Sequence, residues 1–195
     1  MASRRIIQIG DPRLKARNKV VKNYKDLKVK KIIKDLTDTM HKNELIGLAA
    51  PQIGYNYRIF VTHARKTDFR PSDQTDELRI YINPKMVKVS KTKNIIYEGC
   101  GCVINAQLFG PVKRPSKITI EASDEDGKKF QLECDGILSR VIQHEYDHMF
   151  GIEFTEKISD YRKLMHEDFY LKYIRNSKEQ KQASKITIIK FSDTK

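Results

Sequence analysis

The chain begins with a short apolar run, Ile6-Ile7-Gln8-Ile9, which predicts a strand or an anchored arm over 5–9, ended by Gly10-Asp11-Pro12. From about Lys25 to His41, Val29, Ile32, Ile33, Leu36 and Met40 recur at helical spacing with lysines on the opposite face. Leu45 to Gly54 is small, apolar and broken by Pro51, which predicts a tight, buried loop. Arg58–Thr62 reads as a strand, followed by a polar loop over 66–77. Leu78–Asn83, Met86–Ser90 and Asn94–Tyr97 read as three more, the first two separated by Asn83-Pro84. Lys117–Ser123 and Lys129–Cys134 alternate cleanly and are joined by Asp124-Glu125-Asp126-Gly127, a hairpin signal.

After Asp135-Gly136 the period changes. Ile137, Val141, His144 and His148 share one helical face, Leu138, Ile142 and Met149 form a neighbouring apolar stripe, and Gly151 closes the C-terminus. A second helix is expected from about Asp160 to Arg175, with Leu164, Met165 and Phe169 buried. A polar stretch over Ser177–Ser184 and a final apolar run from Ile186 to Phe191 follow. Strands first and a helix late predict an α+β fold, antiparallel sheets packed around a central helix. No internal repeat is present. The 195 residues read as a single domain, 1–195, with a C-terminal helix-and-strand extension from about 160.

The predicted central helix carries Gln143-His144-Glu145-Tyr146-Asp147-His148. Residues i and i+4 stand one above the other on a helix, so His144 and His148 can grip one metal ion. Glu145 then projects beside the open coordination positions, the His-Glu-x-x-His arrangement of metal-assisted hydrolysis with the Glu as general base. A surface helix bearing two histidines is the plainer alternative, in a chain with only five His. Two imidazoles rarely suffice, and a hydrolytic site normally has three protein ligands and one place for water. Downstream, Glu153, Glu156, His166 and Glu167 sit in no recognisable frame. Upstream, Glu98-Gly99-Cys100-Gly101-Cys102 ends a predicted strand in a glycine-flanked thiol. Cys100 is the expected third ligand, with Cys102 a rival better placed as its neighbour and Cys134 a core residue.

Charge adds a possible partner. The net charge is 38 − 25 = +13, and residues 1–35, with twelve Lys/Arg against three Asp, carry +9 of it. That is an electrostatic footprint for an anionic partner such as RNA, or a solvated lysine-rich face. No aromatic–basic motif accompanies it, so no sequence-specific nucleic-acid binding is expected. No apolar run approaches a membrane span, and no signal-peptide core follows Arg4-Arg5. Three cysteines, two of them two residues apart, do not make a disulfide framework, so a reducing, cytoplasmic setting is expected.

Taken together, these residues resemble the peptide deformylase family over nearly the whole chain, from Arg5-Ile-Ile-Gln-Ile-Gly-Asp-Pro-Arg-Leu14 onward. The family motif Gly-x-Gly-Leu-Ala-Ala-x-Gln is matched by Leu45 to Gln52 except at its first position. Glu-Gly-Cys-Leu-Ser is matched in part by Glu98 to Cys102, and Gln-His-Glu-x-Asp-His in full by Gln143 to His148. The resemblance implies removal of the N-formyl group from the formylmethionine of nascent polypeptides, releasing formate. It implies Cys100, His144 and His148 as ligands of one divalent ion, Fe(II) by family habit with Zn, Ni or Co able to replace it. By the same resemblance, Glu145 is the proton carrier, Gln52 and the Gly101 N–H stabilise the oxyanion, and Ile46, Gly47, Glu98, Arg140 and Val141 contact the substrate.

Several positions depart from the pattern. Leu45 replaces a glycine on the backbone edge along which substrate lies, Gly101 replaces Leu, Cys102 replaces Ser, and the family arginine expected near Gln107 is missing. Arg140 stands where an apolar residue would line the methionine pocket, either pointing into that pocket or reaching outward. Three other readings follow from these residues: a deformylase-like amidase of altered specificity, a metal-stabilised ribosome-associated binding protein, and, more distantly, a zincin-type endopeptidase.

Overall fold

A computed structural model describes residues 3–67, 70 and 74–194, so part of the polar loop expected over 66–77 lies outside the described residues. Helix α1 (Leu27–Lys42) is capped by Asp26, whose carboxylate accepts from the Lys28 N–H at 2.8 Å. Val29, Ile32, Ile33, Leu36 and Met40 are buried, as their spacing predicts. A six-stranded antiparallel sheet runs β1-β2-β3-β6-β7-β9, with β1 at Gly47–Ala49, β2 at Ile59–Thr62, β3 at Arg79–Val89, β6 at Lys117–Ser123, β7 at Lys129–Asp135 and β9 at Ile189–Asp193. A three-stranded sheet holds β4 (Lys93–Glu98), β5 (Leu108–Pro115) and β8 (Met165–His166) in the order β4-β5-β8. Helix α2 (Gly136–His148) packs between them. The architecture is α+β with antiparallel sheets around a central helix.

Strand β2 is buried on both faces, and for that reason it reads as a continuous apolar run rather than an alternation. Ile59 and Val61 join the α1 core with Leu36, Met40 and Leu48, while Phe60 joins the α2 core with Tyr81, Ile120, Leu138 and Ile142. Each such side chain stabilises the fold by roughly 1.5–3 kcal/mol. The β1–β2 corner is thereby clamped between two helices, and β1 leads directly into the site.

Four expectations need correction. Leu45 to Gly54 is a strand, β1, followed by a 3-10 turn Ala50–Ile53, because its backbone pairs with β2. The two strands expected around Asn83-Pro84 are one, β3, with a register break between Ile82 and Lys85. Asn83 adopts φ 51° there, and its side chain bonds both backbone groups of Val21 at 2.9 Å. β2 has already ended at this point, so the missing proline N–H breaks no ladder. Strand β5 was not expected at all, since Gly110, Pro111 and Pro115 punctuate it. The helix expected over 160–175 is absent. That stretch is a 3-10 turn (Tyr161–Lys163), strand β8 paired to Leu108 and Phe109, a short helix α3 (Glu167–Phe169) and a π-type turn (Tyr170–Ile174). Phe169 is 55% exposed, not buried. Tertiary pairing with β5 overrides the local period.

The polar stretch 178–184 is helix α4 (Lys178–Ser184), capped by Ser177. The last apolar run supplies β9 on the edge of β7. The N-terminal stretch is an anchored arm: the Ile7 N–H donates to Gln52 O at 2.9 Å and the Ile9 N–H to Cys102 O at 2.8 Å. It ties together the two loops that carry the site. No helix among the described residues is long and apolar enough to cross a membrane.

Candidate metal centre and active site

Helix α2 places His144 and His148 one turn apart, with ring centroids 5.1 Å apart. The end of β4 brings Cys100 to them, its Sγ 3.4 Å from His148 Nε2. Ligand atoms of Cys100, His144 and His148 lie within 4.8 Å of one another, and this is the one such triad among the described residues. Glu98 Oε2 accepts from His144 Nδ1 at 2.9 Å, which fixes the ring and leaves Nε2 free for an ion. Asn18 Nδ2 donates to the carbonyls of His148 and Met149 at 3.2 and 3.0 Å, steadying the end of the helix.

The electrostatics call for a cation. Burial alone would lower the His144 pKa, but the Cys100 sulfur and Glu98 carboxylate outweigh it and hold it well above its ordinary value. Interaction with Cys102 and burial push the Cys100 thiol up to about 11, so its thiolate form needs a positive charge beside it. A soft sulfur and two imidazoles, converging in a buried place that otherwise draws protons, fit a divalent ion such as Fe(II), Zn, Ni or Co.

Glu145 sits one residue beyond His144, buried, with its Oε2 lacking any hydrogen-bond partner. Burial raises its pKa to about 7, against the opposing pull of His144. Gly47 in β1 faces it so closely that a Cβ there would lie 2.5 Å from Val141 Cγ1 and 2.7 Å from Glu145 Oε1. Only glycine lets β1 pass this near the helix. Gln52, 2% exposed, accepts from the Ala49 N–H at 2.6 Å and turns its Nε2 toward Cys100 Sγ (3.4 Å) and Cys102 Sγ (3.6 Å). Gly101 opens a 3-10 turn, Gly101–Ala106, so its N–H has no acceptor within that turn. Ile46, Gly47 and Val141 line a groove of about 1130 Å³ that contains the ion-binding corner, with Ile96 and Ile137 adding apolar wall.

Glu98 and Arg140, expected to contact substrate, line the groove, and their charged groups are engaged with one another and with neighbouring residues. Glu98, 6% exposed, accepts from Arg114 Nε (2.8 Å) and Nη2 (3.0 Å), Arg140 Nη1 (2.9 Å) and His144. Burial would raise its pKa, but Arg114 and His144 hold it far below the carboxylate range. Arg140, 3% exposed, lies at the groove wall with its guanidinium turned to buried partners, neither unpaired in the groove nor reaching out to solvent. Its guanidinium is satisfied by Glu98, the Val112 carbonyl (2.9 Å) and Asn94 (2.8 Å to Oδ1). The pair braces a ligand histidine from behind. Asp147 is an ion-pair partner, accepting from Arg114 Nη1 at 2.5 Å.

Arg114 is the residue that reading the sequence missed. It shares a face of β5 with buried Val112 while Lys113 is exposed, and a buried Glu98 beside Asp147 requires such a cation. The departures at Leu45 and Gly101 meet in space. A Cβ on Gly101 would lie 3.1 Å from Ile6 Cδ1 and 3.4 Å from Leu45 Cδ1, so the larger residue at 45 occupies room that a larger residue at 101 would need. Cys102 is buried next to Gln52 and Cys134 lies in the α2 core. Gln107 is tied to the C-terminal segment, its Oε1 2.7 Å from His166 Nε2.

A thiol-and-imidazole triad with a buried carboxylate on the same helix, set in an apolar groove, defines a metallohydrolase. Residues 3–164 match the polypeptide deformylase family model. The chain is 36% identical over 159 residues to peptide deformylase 1 of Ralstonia nicotianae, covering 82% of this chain and 88% of that one. It is 34% identical over 80% of its length to a chloroplastic peptide deformylase 1B of Solanum lycopersicum, of which it spans 53%. The crystal structure of peptide deformylase from Ehrlichia chaffeensis superposes with a TM-score of 0.73 at 29% identity, covering 89% of this chain and 96% of that one. The chain belongs to the peptide deformylase family, metal-dependent hydrolases that remove the N-formyl group from nascent peptides.

Proposed function

We infer that this chain hydrolyses the formamide of N-formylmethionyl peptides, with Cys100, His144 and His148 holding the ion, Fe(II) by family resemblance. The observation that carries the reading is Glu145, buried without a partner beside the triad, its pKa near 7. When bound, the ion lowers the pKa of a water and polarises the formyl oxygen. Glu145 takes the proton of the attacking water and passes it to the departing amine nitrogen, a role suited to a pKa near the working pH. Gln52 Nε2 and the Gly101 N–H donate to the oxygen as it gains charge. The peptide lies extended between the edges of β1 and β4, and its first side chain enters the apolar wall formed by Ile96, Ile137 and Val141. With the Arg140 charge neutralised by Glu98, a methionine side chain meets no unpaired guanidinium.

The test is formate release from formyl-Met-Ala-Ser by an anaerobic, metal-analysed preparation. Glu145→Gln is expected to lower kcat by about 10²–10⁴-fold with metal content kept, and a variant of native activity would remove Glu145 from this role. The +9 charge of residues 1–35 supports a second, additional reading, an anionic docking partner such as ribosomal RNA. Salt-insensitive behaviour in ribosome co-sedimentation would end it. Three free cysteines, one of them in the triad, suit a reducing cytoplasm.

A further inference from the structure

Strand β4 pairs with β5 on one side only, and its other edge faces the groove. Along an antiparallel pair, residues alternate between bonding the partner and pointing their N–H and C=O outward. Tyr97 lies opposite Pro111, which has no N–H to exchange, so Tyr97 belongs to the outward set, as does Gly99 two residues on. Gly99 makes no backbone hydrogen bond among the described residues. Tyr97 is different. Its N–H donates to Gln180 Oε1 at 3.1 Å, and Gln180 Nε2 donates to its carbonyl at 3.4 Å. A carboxamide offers one acceptor and one donor side by side, so it reproduces the two bonds of an antiparallel partner residue.

Gln180 is 8% exposed and held in place. Its N–H donates to the Ser177 cap at 3.2 Å, and Asn94 Nδ2 ties the same helix to β4 through the Ala183 carbonyl, also at 3.2 Å. Helix α4 lies outside the residues matched by the family model.

We propose that Gln180 is a specificity-determining residue that ends main-chain recognition of the substrate. The formyl end lies at Cys100, beyond the C-terminal end of β4, so the peptide runs antiparallel to that strand. Whichever substrate residue faces Gly99, first or second, the one facing Tyr97 is two further on. The third or fourth residue therefore meets a strand position that Gln180 already fills, and the chain leaves the edge there. The inference rests on the assignment of the groove to a formylated peptide.

The experiment compares formyl-Met peptides of two to six residues, extended with Ala and Ser only, on the metal-matched native chain and on Gln180→Ala. The unformylated products of each length are measured as competitive inhibitors in parallel. In the native chain, kcat/KM and product affinity rise to the third or fourth residue and then stay level within about twofold, since further residues add no main-chain bond. In Gln180→Ala five- and six-residue peptides gain roughly three- to tenfold relative to the formyl dipeptide on the same variant, mostly in KM, the worth of one or two freed backbone bonds. A native profile that climbs through six residues, or a variant profile superimposable on the native one, overturns the proposal. If the variant does not fold, the product series on the native chain decides alone. Failure to hydrolyse formyl-Met-Ala would overturn the functional reading and this inference with it, whereas hydrolysis without a plateau overturns only this inference.

Discussion

The two long sides of the groove are held by different means. The inner side, built from α2, β4 and β5, rests on one connected network in which Glu98 joins Arg114, Arg140 and His144, and Arg114 continues to Asp147. The outer side, residues 165–185, rests on separate contacts: His166 to Gln107, Gln180 to Tyr97, and Tyr170 stacked on Phe109 at 4.1 Å. Removing one member of a buried ionic network strands its partners' charge, while removing one isolated contact costs only that contact. The inner side is thus built to hold the Cys100, His144 and His148 triad still, and the outer side can lose one contact without disturbing it.

Three substitutions would break that contrast if it is wrong, taken in order of expected effect. Glu145→Gln keeps the shape of the inner side and removes only the proposed proton carrier, so kcat should fall by about 10²–10⁴-fold. Metal content and melting temperature should be unchanged. Glu98→Gln leaves Arg114 and Arg140 buried against a neutral amide, and the expected loss is ~3–5 kcal/mol in urea unfolding. Metal affinity should drop about 10–100-fold with it, since His144 loses its orienting carboxylate. A Glu98 variant as stable as the native chain would show that the network is ornamental. Outside the groove altogether, at the edge of the six-stranded sheet, Asp135 accepts from the Thr187 and Ile188 N–H groups at 2.7 and 2.9 Å and from the Thr187 hydroxyl, fastening the last strand. Asp135→Ala should cost only ~1 kcal/mol, with faster amide exchange confined to β9 and unchanged activity on a formyl dipeptide.

The same contrast explains what could be seen in the sequence. The inner side is written in close spacing: His144, Glu145 and His148 announce themselves by helical period, and Cys100 by the glycines around it. Its supports are not, because Arg114 is meaningful only once β5 lies beside β4, and β5 is disguised by Pro111 and Pro115. Those prolines fall opposite Tyr97 and Lys93, positions where no ladder bond from them is required. Arg140 could be recognised as unusual but not as neutralised, since its partner is 42 residues away. The outer side was misread for a related reason. Leu164, Met165 and Phe169 have helical spacing, yet Met165 and His166 pair with a strand that had not been assigned.

The N-terminal arm shares features of both sides, and the smallest predicted effect lies there. Asp35 is buried in α1, but its partner Arg4 is 42% exposed and Lys31 56%. Burial would raise the Asp35 pKa, but hydrogen bonds from Arg4, Lys31 and the Tyr55 hydroxyl outweigh it and leave it below its ordinary value. A carboxylate depressed on folding contributes stability that is complete above its unfolded pKa, about 3.9, and is lost as pH falls through the lower folded value. Urea midpoints of the native chain and Asp35→Asn should therefore differ by a constant amount from pH 7 down to about pH 5 and converge below pH 4. The gap should be a fraction of that seen at Glu98, because solvent screens the exposed partners. A gap that persists unchanged at pH 3 would mean that Asp35 acts through packing, and that the arm is held to the site by bonds such as those of Ile7 to Gln52, Ile9 to Cys102 and Gln8 to Gly101 rather than by its ion pair.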